Sequence, residues 1–326
     1  MKAVVVTALG GPENMQVAEV EKPVPNPKQV LIRVEKTSVN FADIKFRYGK
    51  KGAGKLPFVP GLDAAGVIEQ VGSEVQRFQP GQRVIAFPAN GTYAEYVVAS
   101  EALTFAIPDS MDFDTAAASP VVSFTSYKLL ADVARLSPGE TVLVHAAAGG
   151  IGTTAIQLAK LLGAGKVIGT VGTKSKAAIA LEAGADRVIC NDTEDFVEMV
   201  NELTGGAGAD VILDSISGAV SERSMDCLAW YGRLVHFGNA SGEVGAVRTI
   251  DLHASCRSVL GFSFGTTRAK RPELLQDTAE KVLPLLADGR LAIRIGKRFS
   301  LEEAADAHAW VESRQSTGKV LLDVRR

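Results

Sequence analysis

The feature that most constrains this chain is the run from 141 to 162, TVLVHAAAGGIGTTAIQLAKLL. Thr141 to Val144 are apolar or β-branched and predict a buried strand, while Ile156, Leu158, Ala159, Leu161 and Leu162 supply an apolar face at helical spacing. Between them lies a glycine-rich turn. Ala147, Gly149 and Gly152 take the three small-residue positions of the dinucleotide fingerprint G-x-G-x-x-G, with alanine replacing the first glycine. Small residues there give backbone access, letting a pyrophosphate approach the amide N–H groups that the following helix leaves unpaired at its positive end. A second strand over 166–171 follows at βαβ distance, which favours a dinucleotide-binding turn over a plain tight turn.

From 137 onward strand-like runs alternate with helical ones: 141–145, 166–171, 187–190, 211–214, 234–237 and 258–262. That alternation predicts an α/β architecture, a doubly wound parallel sheet with helices on both faces. Residues 2–107 have a different texture. Short β-rich runs over 3–7, 30–34, 64–71, 83–87 and 93–98 are separated by turns such as Gln79-Pro80-Gly81-Gln82, and predict a mostly antiparallel, barrel-like β domain. A helical stretch over 112–134, broken at Ser119-Pro120, leads out of it. Past Phe264 come a helix over 272–287, a short strand over 291–295, a helix over 301–311 and a last strand over 319–324. This tail is too short for a core of its own and is expected to join the first domain. The expected domains are therefore 1–122 with 265–326, and an inserted nucleotide domain over 123–264.

With 326 residues, 46% hydrophobic and 22% charged, the chain has globular composition and the length for two domains. A formal net charge of −2, with no long lysine/arginine block, argues against nucleic acid as a primary partner. No apolar run reaches the roughly 18–20 residues that cross a bilayer, and no signal-type segment precedes the first strand, so a cytoplasmic location without membrane contact is expected. Cys190, Cys227 and Cys256 are dispersed, which suits a reducing compartment and outlines no disulfide framework.

An NAD-binding turn normally carries a carboxylate about 20 residues past its glycines, for the ribose hydroxyls. Here no residue from 153 to 181 is acidic, and Lys174 and Lys176 follow the second strand where a 2′-phosphate would lie. Cations there attract that dianion and a carboxylate would repel it, which favours NADPH over NADH. A solvated lysine pair opening a surface helix is the competing reading.

Six motifs in order, Ser38-Val39-Asn40-Phe41-Ala42-Asp43, Pro60-Gly61-Leu62-Asp63-Ala64-Ala65-Gly66, Val71-Gly72-Ser73-Glu74-Val75 with Phe78-Gln79-Pro80-Gly81, the turn from His145 to Gly152, Phe237-Gly238-Asn239, and Gly318-Lys319-Val320, cover essentially the whole chain. Together they resemble the medium-chain dehydrogenase/reductase superfamily, and within it the zinc-free quinone oxidoreductases of zeta-crystallin type. The resemblance implies a Rossmann domain inserted in a discontinuous GroES-like domain. It also implies hydride transfer from NADPH to a quinone or quinone-like enone, and a homodimer formed through the sheet edge around 258–263.

The same resemblance makes Asn40 and Asp43 catalytic residues lining the nicotinamide cleft, Asn40 touching the cofactor as well. Thr125 lies near the nicotinamide, and Ala148, Gly149, Gly150 and Ile151 hold the pyrophosphate. Gly172, Thr173 and Lys176 surround the adenosine phosphate, and Asn191 stands where many relatives stack a tyrosine. Ser215, Phe237, Gly238, Asn239, Phe262 and Lys319 complete the cofactor contacts. Lys45 takes a position where some relatives have a tyrosine near the substrate; Tyr48 beside it is either a substrate-pocket residue or an exposed loop tyrosine.

Zinc-dependent members of the superfamily hold metal with a cysteine, a histidine and a carboxylate or second cysteine. In this chain Asn40 replaces the first ligand, Gly61-Leu62-Asp63 replaces a Gly-His-Glu motif, and His145, His236, His253 and His308 lack ligand spacing, so no zinc is expected. Alcohol oxidation is poorly supported without a Lewis acid, whereas a quinone or enone delocalises the incoming charge. An enoyl-thioester or alkenal double-bond reductase fits the same residues, and a cofactor-binding structural or regulatory protein without turnover is the rival of another class. Residues 49–55, GKKGAGK, nearly spell a P-loop but meet Leu56 and Pro57 where a Ser or Thr and a helix are required; a solvated loop, with or without a lid role, is the better reading.

Overall fold

The computed structural model describes residues 1–50 and 55–325; the centre of the 49–55 loop, with any lid role, lies outside the described residues. Its strands in chain order are β1 (Lys2–Val6), β2 (Met15–Glu19), β3 (Gln29–Val39), β4 (Ala64–Val71), β5 (Arg83–Ala86), β6 (Tyr96–Ser100), β7 (Thr104–Ala106), β8 (Thr141–Val144), β9 (Lys166–Val171), β10 (Arg187–Cys190), β11 (Ala209–Asp214), β12 (Leu228–His236), β13 (Ser258–Gly261), β14 (Ile295–Ser300) and β15 (Lys319–Asp323). The chain divides into two compact units, Met1–Phe124 with Thr267–Arg326, and Thr125–Thr266, where the sequence suggests breaks after 122 and 264.

In the inserted unit, β8 to β13 form one six-stranded sheet in the order β10-β9-β8-β11-β12-β13, all neighbours parallel. Such strands are covered on both faces, which is why β8 and β9 are almost continuously buried and read as unbroken apolar runs. Leu143, Ile168, Ile189, Ile212 and Leu234, one from each of five strands, close over Phe196 and Val200 of the helix Phe196–Leu203 to make one core. The strand order reverses direction between β8 and β11, the topological switch point where α/β sheets bind ligands at their strand ends. Two expectations need correction. Leu161 is 43% exposed rather than part of the buried helix face, since the helix Gly150–Leu161 ends there and its last turn escapes cover. The fifth strand begins at Leu228, not 234: Leu228 pairs with Ala209, and before pairing resumes at Arg233 an irregularity carries Trp230 and Tyr231 into solvent, with Tyr231 at φ 61°, a pattern that hides the start of the strand from hydrophobicity.

The other unit is built on a sheet ordered β14-β15-β3-β4-β5-β7, with β6 also pairing β3 and β1 pairing β2 apart from it. Its pairs are antiparallel except β14 with β15. Val30, Ile32 and Val34 alternate along β3 and meet Ile68, Val84 and Val97 on one face, the period-2 spacing of a strand. The sequence pattern stops β3 at 34, yet it runs to Val39, because Thr37 and Ser38 are buried with their hydroxyls satisfied rather than turned to water. The expected strand over 291–295 instead spans Ile295–Ser300. This edge strand is largely exposed, so Lys297 and Arg298 sit in it without violating burial and leave no apolar signature.

Candidate active site

The fingerprint turn is built around small residues for steric reasons that the structure makes explicit. A Cβ on Gly152 would stand 2.4 Å from the Ala146 carbonyl oxygen, and one on Gly169 would stand 2.7 Å from Ala147 Cβ. Helix and strand therefore close to a distance that only glycine permits. Gly149 takes the N-cap position in extended backbone, with no side chain capping the helix Gly150–Leu161. Thr153 and Thr154 turn their hydroxyls back onto the carbonyls of Gly149 and Gly150, at 3.0 and 2.8 Å, instead of toward the first amides. A helix start normally spends a Ser, Thr, Asp or Asn on those donors; here they and the positive end of the helix dipole are left for an anion.

Every expected cofactor residue of the inserted unit except Thr125 falls just past the C-terminal end of a parallel strand. Ala148 to Ile151 follow β8; Gly172, Thr173 and Lys176 follow β9; Asn191 follows β10; Ser215 follows β11; Phe237, Gly238 and Asn239 follow β12; and Phe262 follows β13. Lys174 to Lys176 form a single 3-10 turn, with Lys174 exposed and Lys176 half-buried. Thr125 lies on the helix Pro120–Tyr127, which runs directly into a π-helical stretch, Lys128–Val133. Its side chain is 3% exposed, yet Oγ1 has no hydrogen-bond partner. A buried orphan hydroxyl is costly, of order 1–3 kcal/mol, and ordinarily marks a position whose partner is a ligand or water.

The other unit gathers Asn40, Asp43 and Lys319 into one buried polar cluster. Lys319 Nζ donates to Asn40 Oδ1 at 2.7 Å and to the Val39 carbonyl at 3.2 Å. Asn40 Nδ2 donates to Asp63 Oδ1 at 3.0 Å, and the same carboxylate accepts from Ser38 Oγ at 2.9 Å and the Val121 amide at 3.3 Å. Asp43 Oδ2 accepts from the Asn40 backbone N–H at 2.8 Å, fixing the start of the helix Phe41–Arg47. Arg268 donates to the Leu62 and Pro88 carbonyls at 3.0 and 3.1 Å. Burial, with Asp63 second, raises the pKa of Asp43 to about 7. Burial also raises that of Asp63, against the pull of Lys319, and lowers that of Lys319, against the pull of Asp63 and Asp43.

A directional chain of hydrogen bonds backs Asp43. Arg47, wholly buried, can only donate, so its contact of 3.2 Å with His308 Nδ1 makes that nitrogen the acceptor and places the imidazole proton on Nε2. Nε2 then donates to Tyr93 Oη at 3.0 Å, and Tyr93 Oη reaches Asp43 Oδ2 at 3.5 Å. Burial and the Arg47 charge push the His308 pKa down to about 3, so the ring is neutral as this geometry requires. Arg47 is itself paired with Glu312 at 2.6 Å.

Asp63, Tyr93, His308 and Arg47 are the parts that local sequence patterns miss. Asp63 was visible only as a departure from a ligand motif, and Tyr93 and His308 are 215 residues apart. Lys45 and Tyr48 lie on or beside the helix Phe41–Arg47, Tyr48 exposed with the Arg47 guanidinium 4.8 Å from its ring centre. His145 is buried in the inserted unit, bonded to Thr170 and Ser224 at 3.0 Å each, and burial lowers its pKa to about 4. Among the described residues no group of three or more His, Cys, Asp or Glu side chains is placed to hold a metal, and a carboxamide and an ammonium occupy the position expected to replace the first ligand. That set does not fit zinc.

Comparison with known proteins assigns both units. Residues 26–109 match the family model for the alcohol dehydrogenase GroES-like domain, and residues 150–282 match the model described as zinc-binding dehydrogenase. A quinone oxidoreductase of Pseudomonas aeruginosa is 39% identical over 327 aligned positions, covering 98% of this chain and 99% of the relative. A 2-haloacrylate reductase of a Burkholderia species is 36% identical, covering 98% of each. Among solved structures, the Escherichia coli quinone oxidoreductase complexed with NADPH superposes with a TM-score of 0.92 at 35% identity, covering 99% of this chain and all of that one. The fold and the matches along its whole length agree, and the chain belongs to the zinc-free quinone oxidoreductase branch of the medium-chain dehydrogenase/reductase superfamily.

Proposed function

We propose that the chain is an NADPH-dependent quinone reductase working in the cytoplasm without metal. The observation that carries the reading is an uncapped helix start at Gly149 in a chain 39% identical, along 98% of its length, to a quinone oxidoreductase. Bound NADPH supplies a hydride, so that NADPH, a proton and the quinone give NADP⁺ and hydroquinone. The first amides of the helix Gly150–Leu161 hold the pyrophosphate, and the buried Thr125 hydroxyl receives the partner it lacks from the nicotinamide side. Lys176, with Lys174 beside it, attracts the 2′-phosphate, and no carboxylate between 153 and 181 opposes it. Asn40 lies on the acceptor side, and Asp43 holds the helix that carries it. No metal is needed, because a conjugated acceptor spreads the charge that hydride transfer creates.

The exposed edge of β13 carries the homodimer, pairing with its copy and covering Val259. In support of the cytoplasm, Cys190, Cys227 and Cys256 are free thiols, and no helix among the described residues is long and apolar enough to cross a membrane. The similarity to a 2-haloacrylate reductase favours a second reading, reduction of an activated carbon–carbon double bond at the same site. NADPH consumption with 1,4-benzoquinone, 2-chloroacrylate and a crotonyl thioester decides between them. Quinone turnover is the expected result. Turnover of the alkenes alone transfers the assignment to the second reading, and thermal stabilisation by NADPH with no turnover at all leaves a cofactor-binding protein of another kind.

A further inference from the structure

The cluster around Asn40 contains more than a buried ion pair needs. A carboxamide can sit in either of two flips, and its two ends have opposite hydrogen-bonding character. Here the oxygen end faces the Lys319 ammonium and the nitrogen end faces the Asp63 carboxylate. The reverse flip would set an N–H against a cation and a carbonyl against an anion. Only one orientation is therefore allowed, and it is held at the ends of three strands, since Lys319 opens β15, Asn40 follows β3 and Asp63 precedes β4. The Asn40 side chain is 6% exposed and Lys319 3%. Asp63 takes one Nδ2–H, and the second has no acceptor among the described residues.

We propose that Lys319 is a positioning residue for the acceptor, not a cofactor contact: by bonding Asn40 Oδ1 it fixes the flip of the carboxamide, so that the remaining Nδ2–H is offered to the acceptor's carbonyl oxygen. This rests on the placement of Asn40 on the acceptor side made under the proposed function. It has a specificity consequence. With its oxygen turned to Lys319, the group Asn40 offers is an N–H, which suits a carbonyl, which accepts, better than a hydroxyl that must donate. A quinone and an enone satisfy that requirement, and the hydroquinone product, protonated on both oxygens, satisfies it less well, which favours its release.

The test is the Lys319→Met variant, measured for quinone kinetics and separately for NADPH affinity. The expected result is a kcat/KM for 1,4-benzoquinone lower by roughly 10- to 100-fold, the loss of one hydrogen bond whose orientation was charge-fixed, with NADPH affinity within about twofold of wild type. Equal kinetics, or a loss carried by NADPH affinity, overturns the proposal. Should the single variant fail to fold because Asp63 is left uncompensated, the double variant Lys319→Met with Asp63→Asn removes both charges; it is expected to fold and to show the same loss on the acceptor only, and wild-type kinetics from it overturn the proposal. An enzyme inactive on every acceptor would refute the function rather than this assignment. In that case the Asn40 side-chain amide pair in a ¹⁵N–¹H spectrum decides: one fixed, exchange-protected pair lost in Lys319→Met supports the clamp, and an unchanged pair overturns it.

Discussion

The two regions that carry the proposed chemistry solve opposite problems. The turn from His145 to Gly152 leaves backbone groups bare: small residues, an uncapped helix and hydroxyls folded away. The cluster around Asn40 does the reverse, crowding two carboxylates, a lysine and an arginine out of water and joining groups far apart in the chain, such as Lys319 with Asn40 279 residues away. A phosphate site is assembled from contiguous residues because helix geometry already points the donors. A buried charge cluster has no local solution, since each ion needs a counter-charge from another element.

The largest effect expected from breaking this contrast is at Asp63. Asp63→Leu leaves the Lys319 ammonium without its anion and the Asn40 N–H without its acceptor, and should cost about 3–5 kcal/mol in urea denaturation; a loss below about 1 kcal/mol would mean that the cluster is not held by pairing. Next is Gly152→Val on the other side. Its side chain meets backbone at 2.4–2.7 Å, so about 1–3 kcal/mol of overpacking is expected together with disappearance of the NADPH-induced rise in Tm. A normal Tm shift would show that the turn does not hold the diphosphate.

Smaller effects sharpen the comparison. Lys176→Ala should weaken NADPH binding by about 1.5–3 kcal/mol, the range of a charge-assisted hydrogen bond, and leave NADH nearly untouched; equal losses in calorimetric titrations would detach the lysine from the phosphate. The pH dependence separates the buried carboxylate from the buried imidazoles by sign. Asp43 binds its proton up to about pH 7 in the folded state, above its ordinary value of 3.8, so the stability it contributes is complete below about pH 4 and is lost as pH rises through about 7. Asp43→Asn should flatten that part of a stability-versus-pH curve. His145 and His308, lowered to about 4 and about 3, contribute stability that is present above their ordinary value of 6.5 and falls away in acid. The smallest effect is Thr125→Val, near neutral or slightly stabilising without cofactor because it deletes an orphan hydroxyl, but weakening NADPH by about 1 kcal/mol.

Which parts of this were legible in advance follows the same division. Strands β4, β9 and β10 match their sequence limits because their apolar runs end at Gly, Asn or Pro-containing turns. By contrast β3 beyond Val34, β12 before Leu234 and the whole of β14 escape, since buried threonine and serine, exposed tryptophan and tyrosine, and an edge strand full of cations all break the hydrophobic code. Lys319 and Asp63 could be named from motifs, but nothing local says that one caps the oxygen and the other the nitrogen of the same carboxamide.

The sequence by itself determined the doubly wound sheet, its glycine-rich turn and the missing metal-ligand pattern, because each is written in contiguous residues whose sterics and donors act within a turn or two of chain. Only the tertiary structure decided the rest: the relay from Arg47 through His308 and Tyr93 to Asp43, the orphan hydroxyl of Thr125, and the fixed flip of Asn40. Charge and hydrogen-bond satisfaction depend on distance in space, and the chain brings those partners within 3.5 Å only after its two ends have been laid side by side in one sheet.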